Sequence, residues 1–120
     1  MRILIVDDSR AMRMIVTRTL RQAGFSGHEL TEAGDGSEAL QQISSAPPDL
    51  VLSDWNMPEM NGPQLLSELK AQGSPVKFGF VTSESTPEMA TRAKDLGALF
   101  MITKPFTAEV FQQVLEPIIG

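Results

Sequence analysis

Acidic, hydroxyl and basic side chains stand directly after apolar runs at four places in this sequence. The residues concerned are Asp7, Asp8, Asp54, Thr82 and Lys104. Taken singly, each has an ordinary structural explanation. Acids favour helix starts, aspartate opens turns, threonine suits strands and lysine suits solvated surfaces. Their shared position at the ends of apolar runs indicates that they form one site.

Carboxylates that are gathered in one place repel one another and need a cation. Oxygen ligands without histidine or cysteine favour a hard divalent ion, and we expect Mg²⁺. Lys104 and Thr82 would add an ammonium group and a hydroxyl, which can hold a tetrahedral anion beside a carboxylate. This set of groups predicts phosphoryl transfer onto Asp54, whose carboxylate would attack phosphorus in line.

The elements that must position these side chains alternate between short apolar runs and stretches with helical periodicity. The predicted strands are Arg2–Val6, His28–Ala33, Leu50–Ser53, Val76–Val81 and Leu99–Thr103. The predicted helices are Ser9–Ala23, Ser37–Ser45, Pro63–Gln72, Thr86–Leu96 and Thr107–Ile118. We expect Pro117 to fray or kink the end of the last helix.

The alternation predicts an α/β fold, with a five-stranded, doubly wound parallel sheet in the order 2-1-3-4-5 (flavodoxin-like) and five helices. In this order the first, third, fourth and fifth strands are neighbours. Their carboxyl ends would bring all the candidate side chains to one edge of the sheet, where open α/β sheets bind ligands.

Composition limits the function classes. The 120 residues are expected to form one domain, 1–120, and the net charge of −5 makes direct nucleic-acid binding a poor prediction. The absence of cysteine excludes disulfides and thiolate metal sites and fits a reducing cytoplasm. The apolar runs are too short for membrane insertion, and the first residues do not resemble a signal peptide. We expect a cytoplasmic monomer.

The first helix carries arginines on one broad polar arc, and the arc has two explanations. The arginines are Arg10, Arg13, Arg18 and Arg21. The arc is either a solvated face or a docking face for a phosphodonor, and an exposed Met14 within it would favour docking. The buried face is predicted to carry Met12, Ile15, Val16 and Leu20. The single histidine, His28, is predicted to be structural or on the surface.

The segments "ILIVDDS", "DLVLSDWNMPEMNG", "FVTSE" and "TKPF" together resemble the receiver domain of bacterial response regulators in two-component systems. The resemblance extends over essentially the whole chain, and the segment around Trp55 is most similar to chemotaxis-type, CheY-like regulators. It implies a signalling switch that catalyses its own phosphorylation and dephosphorylation and is not otherwise an enzyme. The donor would be a phosphohistidine on a sensor kinase or phosphotransfer protein, and the output partner is not indicated.

The resemblance also implies a role for each site residue. Asp54 would be the phosphoacceptor, and Lys104 and Thr82 would contact its phosphoryl group. Asp8, Asp54 and the main-chain carbonyl of Asn56 would bind Mg²⁺ directly, whereas Asp7 would act through a water. The bond before Pro105 would be cis.

The same resemblance indicates how the signal ends and how it is passed on. Asn56 and Glu84 would make the phosphorylated state short-lived. The output would be a changed surface around the fourth helix, fifth strand and fifth helix. The sequence departs from the family at Met101, where an aromatic residue is usual, and Phe100 should face the opposite side of the strand.

Other classes of protein remain open. A degenerate receiver would serve only as a protein interaction module, although the complete set of site residues argues against it. A flavodoxin-like flavin carrier shares the expected fold, but Asp7 and Asp8 would repel its phosphate. A Mg²⁺-dependent phosphatase would need a substrate cap, for which the chain has no insertion.

Overall fold

One parallel sheet forms the centre of the molecule in this computed structural model, which describes residues 1–119. Its strand order is β2-β1-β3-β4-β5, as predicted. The strands are β1 (Arg2–Val6), β2 (Glu29–Ala33), β3 (Leu50–Ser53), β4 (Lys77–Thr82) and β5 (Met101–Thr103). The register aligns Val6 with Ser53 and Thr82 with Thr103, so the carboxyl ends of these strands meet at one edge.

Five α-helices cover both faces of the sheet. They are α1 (Arg10–Leu20), α2 (Gly36–Ser45), α3 (Gly62–Ala71), α4 (Pro87–Leu96) and α5 (Ala108–Ile119). The apolar side chains divide into two buried clusters. One cluster joins α1 and α5 to one face of the sheet, and the other joins α2, α3 and α4 to the opposite face. The central strands are mostly apolar because both of their faces are buried.

Polar residues at helix starts fix where several helices leave the carboxyl edge. Ser9, Asp35, Asn61 and Thr86 each accept a hydrogen bond from a backbone amide three residues later. These bonds satisfy amides that have no partner within the helix. Asn61 forms a reciprocal capping box with Gln64, which fixes the exit of the loop that follows Asp54.

The first helix differs from its prediction in two respects. It ends at Leu20 and continues as a π-helical turn, Arg21–Phe25, in which Gly24 has a φ of 101°. Ile15 is 46% exposed and does not belong to the core, because Val16, Thr19 and Leu20 supply the buried stripe. Met14 is 54% exposed, as predicted.

The last two elements also differ slightly from their predictions. The strand β5 begins at Met101 rather than at residue 99, although the Leu99 amide still donates to the carbonyl of Phe78 on β4. The helix α5 continues through Pro117 to Ile119, so the predicted fraying is absent. Within residues 1–119, no helix has the length and apolarity needed to cross a membrane.

Candidate functional site

Asp54 lies at the first position beyond β3, where its backbone is held by the neighbouring strand. Its amide donates to the carbonyl of Val6 over 2.8 Å. Its side-chain Oδ1 accepts a hydrogen bond of 2.7 Å from the amide of Trp55. Because Oδ1 has this partner, Oδ2 is the oxygen directed toward the other groups of the rim, and it lies 3.7 Å from Nζ of Lys104.

Asp7 and Asp8 follow β1 and differ in their surroundings. The side chain of Asp7 is buried, and its Oδ1 accepts from the amide of Ser9 over 2.8 Å. Its Oδ2 pairs with Nζ of Lys104 at 3.1 Å. Asp8 is exposed. Carboxylate oxygens of Asp7, Asp8 and Asp54 all lie within 4.8 Å of one another, so the structure brings together the predicted acidic cluster.

Lys104 is held over this cluster from the end of β5. The bond between Lys104 and Pro105 is cis, as expected. The amide of Lys104 donates to the carbonyl of Thr82 over 2.7 Å, which ties the ends of β5 and β4 together. Its side chain is only 14% exposed, so its ion pairs with Asp7 and Asp54 are well shielded from solvent.

Thr82 is fully buried at the end of β4, with its hydroxyl oxygen accepting from the amide of Glu84 at 3.3 Å. Glu84 and Asn56 are both exposed. Their polar side chains therefore lie in solvent, on the loops that follow β4 and β3.

The local charges alter the acidity of Asp54. Burial raises the pKa of this carboxyl group, since it disfavours the charged form. The ammonium of Lys104 and the Trp55 amide lower the pKa, whereas the charges of Asp7 and Asp8 raise it. The net pKa is above the ordinary value, so in the absence of a cation the ionised Asp54 destabilises the folded state.

Two glycines allow the loop after Asp54 to approach the rest of the rim closely. A β-carbon at Gly62 would meet the carbonyl of Asp54 and the ring of Phe80. A β-carbon at Gly36 would meet the backbone and side chain of Met60, whose carbonyl accepts from the Gly36 amide at 3.2 Å. The loop is therefore packed against both β4 and the start of α2.

Met101 and Phe100 face opposite sides of the sheet, as the alternation of side chains along a strand predicted. Met101 packs on the cluster that includes α4, and Phe100 packs on the cluster that includes α5. The ring of Phe100 occupies the space beside Gly79 on β4, where a β-carbon would overlap it. A bulge that reverses this facing is not present.

The sequence did not identify several groups that hold the site. The Ser9 and Trp55 amides fix carboxylate oxygens, but backbone donors carry no sequence signal of their own. Gly62 stands in the quoted loop and was taken only as turn material. Arg13 was predicted to lie on the polar arc of α1, either solvated or at a docking face, whereas its side chain is only 17% exposed and donates to the Asp7 carbonyl.

The donor set of the rim fits a hard divalent cation. Its three carboxylates supply only oxygen ligands and carry more negative charge than Lys104 can neutralise. The amino acids that could hold such an ion are therefore Asp7, Asp8 and Asp54. Together with the lysine and the buried hydroxyl, they form an arrangement that can bind a tetrahedral anion next to a carboxylate.

A doubly wound sheet that carries this acidic rim at its carboxyl edge defines a receiver-type α/β domain. The chain belongs to the response regulator receiver domain family, which it matches over residues 3–116. The match confirms the resemblance derived from the four sequence segments.

Two known relatives of this chain are chemotaxis proteins. The chain is 38% identical to the chemotaxis protein CheY of Pseudomonas aeruginosa, covering 98% of this chain and 95% of the relative. It is 34% identical to a probable chemotaxis protein CheY of Rhizobium etli, covering 99% and 92%. The chain is a receiver of the type found in CheY chemotaxis proteins.

Solved structures agree with the fold. The chemotaxis protein CheY4 of Vibrio cholerae superposes with a TM-score of 0.86 at 33% identity, covering 98% of each chain. A LuxR-family response regulator from Staphylococcus aureus superposes with a TM-score of 0.88 at 20% identity, which supports the fold alone.

Proposed function

We propose that the chain is a phospho-accepting signalling switch. In this proposal, Asp54 receives a phosphoryl group from a phosphohistidine on a sensor kinase or phosphotransfer protein. The observation that carries the proposal is the position of Lys104 Nζ, 3.1 Å from Asp7 and 3.7 Å from Asp54, over three clustered carboxylates. A structural ion pair would need only one carboxylate, whereas phosphoryl transfer needs the whole set.

The transfer follows from the two environments of the Asp54 oxygens. Oδ1 is held by the Trp55 amide, so Oδ2 is the attacking atom. A bond forms from Oδ2 to phosphorus while the phosphorus–nitrogen bond of the donor breaks, and the donor imidazole keeps the electron pair and takes a proton. Lys104 neutralises charge on the transferred oxygens. A bound Mg²⁺, held by Asp8, Asp54 and the Asn56 carbonyl with Asp7 acting through a water, would supply further charge stabilisation.

The signal would leave the site through Thr82. Its hydroxyl can donate to the new phosphoryl group, because the hydrogen bond from the Glu84 amide uses only its oxygen as an acceptor. A movement of Thr82 would vacate buried space that Met101 can enter. The surface formed by α4, β5 and α5 would then change and bind an output partner, in keeping with a role in chemotaxis.

The exposed Asn56 and Glu84 would limit the lifetime of the signal by giving water access to the acyl phosphate. This chemistry acts on the chain itself and makes it a switch rather than an enzyme with an external product. We propose that it works as a cytoplasmic monomer and binds no nucleic acid directly.

A phosphorylation assay tests the proposal. The chain is incubated with acetyl phosphate and Mg²⁺, and its intact mass is measured. We expect a labile gain of one phosphoryl group that requires Mg²⁺ and is absent in Asp54→Asn. An unmodified wild-type chain would contradict the proposal and favour a degenerate interaction module, whereas flavin absorbance in the purified protein would favour the carrier.

A further inference from the structure

Arg13 belongs to the helix α1 and contacts residues near the ends of β1 and β2. Its Nη1 donates to the backbone carbonyl of Asp7 over 2.6 Å. Its Nε donates to the carboxylate of Glu32, near the end of β2, over 2.8 Å. Its side chain is 17% exposed and that of Glu32 is 46% exposed, so the contact with the Asp7 carbonyl is the better shielded of the two.

The carbonyl that Arg13 holds belongs to the peptide between Asp7 and Asp8. The Asp7 side chain is already fixed by the Ser9 amide and by Lys104. The exposed Asp8 side chain has no hydrogen-bond partner within residues 1–119, so its direction depends on the backbone that carries it. The orientation of this peptide helps set the direction of the Asp8 Cα–Cβ bond, and so the positions that the Asp8 carboxylate can reach near Asp54.

We propose that Arg13 is a positioning residue for the divalent-cation site. It holds the Asp7–Asp8 peptide so that the Asp8 carboxylate is directed toward Asp54 before the cation binds. This inference rests on the proposed function, since it assigns an outer partner to the acidic cluster that the switch uses. Outer partners of metal ligands reduce the cost of ordering those ligands, and their loss weakens binding.

The planar guanidinium fork of Arg13 and its positive charge should have opposite effects on Mg²⁺ affinity. A guanidinium near the rim repels a cation, so charge alone predicts tighter Mg²⁺ binding when Arg13 is removed. Positioning predicts weaker binding. Lysine separates the two effects because it keeps the charge but cannot bridge a carbonyl and a carboxylate with a planar fork.

The experiment is a calorimetric titration of the full chain with Mg²⁺ alone, without a phosphodonor. We expect Arg13→Lys to raise the Kd roughly tenfold. Arg13→Met should raise it by less, because loss of the repelling charge partly offsets loss of the fork. Glu32→Gln removes the charge that pairs with the guanidinium and weakens its orientation, so it should raise the Kd by less. In metal-free protein, the amide nitrogen shift of Asp8 should move in Arg13→Lys, because its peptide loses the bond to Nη1.

Arg2→Lys is the matched control. Arg2 pairs with Glu29 at 2.9 Å and joins β1 to β2 at their amino ends, away from the rim. This variant should lose a similar guanidinium contact to a glutamate of β2 while its Mg²⁺ Kd and Asp8 shift stay those of the wild type. A Kd in Arg13→Lys that equals the wild-type value would overturn the inference, as would tighter binding in Arg13→Met.

The result separates this inference from the proposed function. A wild-type chain that binds no Mg²⁺ contradicts both. A wild-type chain that binds Mg²⁺ while the Arg13 variants lose only stability contradicts the positioning role alone. If the Arg13 variants fail to fold, Glu32→Gln decides, and an unchanged Kd in that variant overturns the inference.

Discussion

The carboxyl group of Asp54 is held in a setting that disfavours its charge, which supports the proposal that it binds a cation and accepts a phosphoryl group. Burial raises its pKa most, Asp7 and Asp8 raise the pKa further, and Lys104 with the Trp55 amide only partly offsets them. Strongly perturbed pKa values are typical of functional sites, so this raised pKa supports the proposed role of Asp54.

This setting predicts that Asp54→Asn stabilises the metal-free chain at neutral pH. The pKa of Asp54 in the folded state lies above the ordinary 3.8. The stability contributed by protonated Asp54 is therefore fully present below the unfolded pKa. It is lost as the pH rises through the folded pKa. The free-energy difference between variant and wild type should therefore grow with pH across that interval. Urea unfolding in EDTA at several pH values measures it, and a difference independent of pH would contradict the stated cause.

The exposed side chains of Asn56 and Glu84 are predicted to shorten the lifetime of the acyl phosphate. Replacing both by bulky apolar residues should slow loss of the phosphoryl group, because water would have less access to it. The decay is followed by intact mass after the phosphodonor is removed. Exposed Glu109, on α5, gives a control substitution of similar size. Equal decay rates in the double variant and wild type would show that another group controls the water.

Residue types predicted which side chains come together at the rim but not the groups that hold them. The acids, Lys104 and Thr82 could be found because each follows an apolar strand in the sequence. The backbone amides of Ser9 and Trp55 carry no such signal. The contact of Arg13 with the Asp7 carbonyl was not predicted, because helical periodicity gives only an arc of residues. A long arginine at the margin of that arc can reach back to the sheet.

At the scale of elements, the packing of the edge strand β5 on β4 requires a small residue on β4 beside a large aromatic ring next to β5. The ring of Phe100 fills the position beside Gly79. Gly79→Ala should therefore destabilise the fold by about 1–3 kcal/mol through overpacking. Combination with Phe100→Ala should cost less than the sum of the single changes.

Denaturant unfolding of the three variants measures this coupling. Gly27→Ala provides the control, because a β-carbon there meets nothing within 4 Å and the substitution should be nearly neutral. Additive effects of Gly79→Ala and Phe100→Ala would show that the two positions do not share one packing site.

On the other face of β5, Met101 predicts weak coupling between the site and the output surface. Met101 packs on the cluster that includes α4, in the position where receivers usually carry an aromatic residue. A flexible apolar side chain can fill space vacated by Thr82 without fixing a ring, so active and inactive surfaces should differ by a smaller free energy. Met101→Tyr should therefore make the beryllofluoride-induced NMR shifts of β5 more complete. A complete two-state shift in the wild type, with no gain from tyrosine, would contradict this prediction.

The sequence predicted the elements well where patterns were strong and less well at their ends. Buried apolar runs gave β1 and β3 with their observed bounds, and Thr86 with Pro87 marked the start of α4. The end of α1 was missed because the π-helical turn that ends it keeps the helical direction up to Gly24. The bounds of β5 depend on pairing with β4, which periodicity within a single segment does not contain.

At the scale of the whole molecule, parallel strands convert distant sequence positions into one site. Asp7 and Lys104 are 97 residues apart and form a hydrogen bond of 3.1 Å. The strand order was predictable because short right-handed connections leave few alternatives. The superposition on CheY4 of Vibrio cholerae, with a TM-score of 0.86, agrees with this fold.

The central claim is that Asp54 is the residue that carries the phosphoryl group, and locating the acyl phosphate in the chain tests it most directly. After reaction with acetyl phosphate and Mg²⁺, borohydride reduction converts a phosphorylated aspartate to homoserine, and peptide mass spectrometry finds its position. We predict homoserine at position 54, dependent on Mg²⁺ and absent when EDTA is present. Homoserine at position 7 or 8, or none anywhere in the chain, would contradict the account.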